Sequence, residues 1–97
     1  MNSSIPEEQK EAFNQLLFDL QNLVLTSKAN NPIEINNALD LIAMSVERLK
    51  SIEVKIAGID TLFKNIEDLR YACAHEKWEQ VTELNDVINK QIFELLS

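Results

Sequence analysis

Cys73 and His75 are the side chains best suited to nucleophilic or general-base chemistry, and the chain has one of each. A catalytic pair needs the thiol and the imidazole within hydrogen-bond reach. Two residues apart on a helix they point to different sides, so no such pair is expected. Cys73 falls on an apolar row and is expected to be a small buried core residue. His75 falls where that row ends and is expected at the surface. A single histidine excludes the two-histidine HExxH zinc site and the carboxylate-plus-ExxH di-iron site, and a single cysteine excludes an internal disulfide. The 16 acidic side chains, Glu67 with Asp68 and Glu79 with Glu83 among them, fall at positions expected to be exposed, where no burial would tune a carboxyl for acid-base work. One glycine cannot build a Gly-rich phosphate loop or a Gly-x-Ser-x-Gly elbow. No catalytic residue, metal or cofactor is expected, and the chain does not read as an enzyme.

The chemistry that the sequence does offer is apolar recognition. Phe18 and Leu25 are seven residues apart and fall well away from the row Phe13, Leu16, Leu20 and Val24, so they form a second stripe on the same helix. Leu41 and Met44 are similarly off-axis in the next helical stretch, and Phe93 is off-axis in the last. Tyr71 and Trp78 flank an expected turn, where either a core rim or a binding anchor would suit them. These seven residues are the candidate partner-binding set. The competing reading of the stripe is a wide core face in a well-wrapped bundle, since isolated exposed apolar residues are ordinary.

Four helical stretches would have to position these side chains. The central one, Pro32 to His75, carries Ile35, Leu39, Ile42, Val46, Leu49, Ile56, Ile59, Phe63, Ile66, Leu69 and Cys73 at mostly three- and four-residue steps. Its register slips after Leu49, where Glu53 stands at the position that should be apolar. The spacing predicts one helix from Pro32 to about Ala57 and another from Thr61 to about His75. Gly58 would take the left-handed position after the former, with Ile59 packing back on Val54 and Asp60 as N-cap of the latter. If Gly58 instead lies inside a continuous helix, the two become one.

Before them, Ser4 and Glu7 form a capping box for a first helix running to about Ser27 or Lys28, with Met1 to Ser3 a loose end. Asn31, Pro32 and Glu34 supply an N-cap, a first-position proline and an acidic first turn for the second helix. After His75 the apolar row lapses through Glu76 and Lys77, and a last helix, Lys77 to Leu96, presents Trp78, Val81, Leu84, Ile88, Ile92 and Leu95 on one face. Short connections make neighbours antiparallel. The expected fold is all-α, an up-down antiparallel bundle of four helices, or three if Gly58 is internal, forming one domain over residues 1–97.

A net charge of −7 opposes direct binding to nucleic acid or to an anionic membrane surface and favours a basic partner. The apolar runs are far shorter than the roughly 20 residues that span a bilayer, and Met1 to Lys10 lacks the pattern of a signal peptide, so a cytoplasmic location is expected. The stretch His75 to Leu84, with Trp78 just after the turn, is similar in pattern to the helix-turn-helix of FliT-like flagellar export chaperones. It covers about a tenth of the chain, away from the amino-terminal place expected in that family. The resemblance implies only that small acidic bundles occur among such chaperones. The leading expectation is a non-enzymatic protein-binding module, a small chaperone, adaptor or inhibitor, using the stripe on the first helix. The alternatives are a homodimer that buries the same stripe, and an acidic nucleic-acid mimic that inhibits a basic DNA- or RNA-binding protein.

Overall fold

A computed structural model describes residues 7–51 and 57–96. Among these residues four helices make up an antiparallel bundle: α1 (Glu7–Lys28), α2 (Pro32–Lys50), α3 (Ile59–Ala74) and α4 (Trp78–Leu96). α1 packs along α2, α3 packs along α4, and the two hairpins meet through α1 and α4. Phe13, Leu16, Leu20 and Leu23 from α1, Ile42 from α2, Leu62 and Leu69 from α3, and Ile88 and Ile92 from α4 are fully buried in one core. These are the inward rows that three- and four-residue spacing predicts.

The start of α2 follows the sequence closely. Asn31 is its N-cap, with extended backbone, and its side chain accepts from the Glu34 N–H at 3.2 Å, one of the donors that the first helical turn leaves without an internal partner. Pro32 sits in the first turn, where its missing N–H is no loss.

The end of α2 differs from expectation. The helix stops at Lys50, not near Ala57, with Ser51 as C-cap. Ser51 N–H donates to the Glu47 carbonyl at 3.0 Å and its hydroxyl to the Arg48 carbonyl at 2.7 Å, so the side chain competes for the last acceptors just where the apolar row loses register. Gly58 is left-handed, with φ of 88°, and separates two helices. It is itself the N-cap of α3, whose first helical residue is Ile59, so Asp60 is not the cap but an acid in the first turn. With no side chain to offer, Gly58 contributes its carbonyl, which accepts from Leu62 N–H at 3.2 Å. The expected Ser4 cap, the Ile59 contact with Val54, and the place of Ile56 in the core row lie outside the described residues.

The turns after α1 and α3 are built alike without glycine. Asn30 and Glu76 both take φ of 56°. Each is followed by an N–H that reaches back five residues in the chain: Asn31 to the Thr26 carbonyl at 3.4 Å, and Lys77 to the Ala72 carbonyl at 2.9 Å. The inner bonds, Asn30 to Ser27 at 3.2 Å and Glu76 to Cys73 at 3.1 Å, complete a Schellman motif at both helix ends. Asn tolerates the left-handed region, but Glu does so under strain. This explains why the α3 to α4 boundary shows so faintly in the sequence, since the residue doing a glycine's job is a glutamate.

Two substitutions should therefore move stability in opposite directions. Gly58→Ala meets no atom within 4 Å of the added Cβ, so its cost is backbone strain alone, about 1 kcal/mol. Glu76→Gly relieves strain and removes an acid from a helix carboxyl end, and should gain about 0.5 kcal/mol despite the extra freedom of the unfolded chain. Urea unfolding midpoints compared with wild type check both signs.

Candidate functional site

On α1, turning Phe13, Leu16, Leu20 and Leu23 inward leaves Phe18 and Leu25 on the outer side, 66% and 60% exposed. On α4, burying Val81, Ile88 and Ile92 turns Phe93 out, 63% exposed. The packing of α1 on α4 brings these three side chains to one open groove of about 740 Å³. Its walls are completed by Leu17, Gln21, Val24 and Lys28 from α1 and by Thr82, Asn85, Asp86 and Asn89 from α4.

The groove has a polar seam. Asn85 is buried and its side-chain N–H donates to the Leu20 carbonyl across the helix interface at 2.8 Å, while Asn89 donates to the Asn85 side-chain oxygen at 2.7 Å. A buried amide without partners is costly, so this bond selects the register in which α4 lies on α1. A second buried polar link joins α1 to α2: Asp19, 1% exposed, accepts from Ser45 Oγ at 3.3 Å and from Gln15 Nε2 at 3.0 Å. None of these residues was among the sequence candidates. The signal was there, since Asn85 stands on the row Val81, Ile88, Ile92 with steps of four, three and four, where an apolar residue would be expected.

The other candidates are placed apart from this groove. Leu41 and Met44 line a separate cleft of about 680 Å³ between α1 and α2, beside Asp19, Ser45 and Arg48, and Arg48 there pairs with Glu11 at 3.4 Å. Because α1 lies between α2 and α4, the two clefts border the same helix on opposite sides. Tyr71 lines a smaller cleft of about 350 Å³ between α3 and α4, with Val87. Its ring stacks at 43° on His75, 4.1 Å between centroids, and Lys77 Nζ lies 5.9 Å from its centre. Trp78 is half-buried against the core and lines none of these clefts. Ile33 and Val87 are further exposed apolar residues that the sequence candidates did not include.

Cys73 is buried in the core, and burial pushes its thiol from the ordinary 9.0 up to about 11, so at neutral pH it is protonated and a poor nucleophile. His75 is exposed at the C-cap of α3. Among the described residues, no group of three His, Cys, Asp or Glu side chains could hold a metal ion, and no helix is long and apolar enough to cross a membrane.

Charge is not spread evenly over the four helices. α1 carries Glu7, Glu8, Glu11 and Asp19 against Lys10 and Lys28, and α4 carries Glu79, Glu83, Asp86 and Glu94 against Lys90. The acids of α2 and of α3 each exceed their bases by one. The two helices that form the Phe18, Leu25 and Phe93 groove thus hold five of the seven excess negative charges.

No protein-family model, curated protein or solved structure matches the chain. The likeness of residues 75–84 to an export-chaperone element has no counterpart among them, and the site has to be read from its own geometry.

Two outcomes follow from the buried polar and titratable groups. Asn85→Ala removes the bond to the Leu20 carbonyl and leaves a small void, and should lower stability by about 1–3 kcal/mol; Asn89→Ala, at a half-buried position, should cost less. Urea unfolding of both variants gives the order. The Cys73 thiol has a folded value above its unfolded one, so it favours the folded state while protonated. That contribution is whole below about pH 9 and is lost as pH rises through about 11. Unfolding midpoints should accordingly fall more steeply from pH 9 to 11 in wild type than in Cys73→Ala.

Proposed function

We propose that this chain is a non-enzymatic protein-binding module, a small chaperone, adaptor or inhibitor, that engages a protein partner through the groove between α1 and α4. The observation that carries the proposal is the convergence of Phe18, Leu25 and Phe93, from two helices, on one open groove while the core is already filled by other side chains. Aromatic and aliphatic anchors clustered in a concave surface are the usual source of binding energy at protein interfaces. Each is about a third covered already, so burying the remainder contributes on the order of 1–2 kcal/mol per side chain. Hydrogen-bonding groups along Gln21, Thr82, Asn85 and Asn89 give the groove a means of orienting what enters it.

Capture from a lysate of the native cell tests this directly. The wild-type chain should retain a specific protein that both Phe18→Asp with Leu25→Asp and the single Phe93→Asp release, while Met44→Asp, in the other cleft, retains it. All four positions are exposed, so the variants should keep wild-type circular dichroism. Retention of the same proteins by every variant would remove the groove from the binding surface.

A further inference from the structure

We infer that the cleft between α1 and α2 binds a small organic cation, an ammonium or guanidinium group carried on an apolar body, with the Asp19 carboxylate as its counter-charge. This cleft lies on the opposite side of α1 from the groove with α4, so the inference stands independently of the proposed protein-binding surface. Asp19 is the observation that points to a ligand. It is 1% exposed, and its two oxygens accept from Gln15 Nε2 at 3.0 Å and from Ser45 Oγ at 3.3 Å, both uncharged donors. A buried carboxylate is ordinarily matched by a cation, because a lone charge held out of water is costly. Among the described residues no lysine or arginine pairs with this one.

The lining of the cleft itself sets Asp19 and Glu47 against one base, Arg48. That base is engaged elsewhere, with its Nη2 3.4 Å from Glu11 at a half-exposed position. Asp19 lines the cleft while almost wholly covered, so it belongs to the floor and not the rim. Its charge acts on an occupant through a short stretch of low dielectric, where it is felt more strongly than at an open surface. The walls select the kind of cation. A bound metal ion takes several oxygen ligands, and among the described residues no group of three His, Cys, Asp or Glu side chains could supply them. An organic cation needs one charged contact and can lay its body against Leu41, Ala43 and Met44, the last a side chain that adapts to the shape it meets. The volume of about 680 Å³ is that of a small-molecule site, apolar with a few polar groups to orient the ligand.

Titration of the full isotope-labelled chain with n-hexylammonium, n-hexanol and hexanoate, followed by amide NMR shifts at constant salt, tests the inference. The three probes share one apolar body and differ in charge. Hexylammonium should shift the amides of Gln15, Asp19, Met44 and Ser45, and should bind about tenfold tighter than hexanol, with hexanoate weakest. Asp19→Asn is the decisive variant, because its amide oxygen can still accept from Gln15 and its amide nitrogen can donate to Ser45 Oγ, so that the charge alone is removed. It should bring hexylammonium level with hexanol and leave hexanol binding unchanged, whereas Phe18→Ser, in the other groove, should alter neither. N-acetyl-lysine methylamide presents the same ammonium as a protein side chain would, and it should bind more weakly than hexylammonium. Equal binding of hexylammonium and hexanol to wild type, or a preference for the cation that survives Asp19→Asn, overturns the inference. So do shifts that gather at Phe18, Leu25 and Phe93 instead. Tighter binding of the lysine derivative would assign the cleft to a partner protein's side chain and overturn the small-molecule reading.

Discussion

The bond from Asn85 to the Leu20 carbonyl is the constraint on which the rest of the molecule's surface depends. Two helical hairpins could slide along one another with little change in the area buried, because leucine and isoleucine rows interdigitate in more than one register. A buried amide restricts that freedom, since any slip that carries it off its acceptor costs several times the thermal energy. In the register it selects, Phe93 of α4 comes beside the α1 stripe and the groove exists.

α1 is consequently the organising helix. It contributes four fully buried large side chains to the core, meets α2 through Asp19 and Ser45, meets α4 through Asn85, and still presents Phe18 and Leu25 outward. A helix that packs on two neighbours has a wide inward arc, and the wide core stripe was the competing explanation for those two residues. The structure distinguishes the cases. Leu17 and Val24 take the edges of the arc, half-buried, whereas Phe18 and Leu25 lie beyond it with most of their surface in water. Two large apolar side chains thus stay in water, a cost that nothing inside the core offsets.

The connections show the same economy of means by different residues. Asn31 caps α2 with its side chain, Gly58 starts α3 by conformation alone, and Asn30 and Glu76 close the preceding helices in the left-handed region. The bundle spends its one glycine where φ of 88° is required, and elsewhere lets the hydrogen bonds of the Schellman motif hold non-glycine residues in place.

The number of helices, their inward rows and the Asn31 boundary were legible in the sequence, because helical periodicity and capping are local properties of consecutive residues. Leu49 with Glu53 marked the weakness at which α2 stops, but not the residue, since Ser51 acts through bonds to Glu47 and Arg48 that exist only once the helix has formed. Glu76 gave no warning of its role, because a strained turn is tolerated only when the packed helices around it demand one. The exposed candidates could be identified singly from their place off the apolar rows. Which of them share a surface is a question of how helices distant in the chain lie on each other: Phe93 joins Phe18 and Leu25, while Leu41 with Met44, Tyr71 and Trp78 go elsewhere. Sequence alone determined a bundle with apolar side chains to spare, and the tertiary structure decided which of them form a groove, because only the register of α4 on α1 brings residues 68 to 75 positions apart into one place.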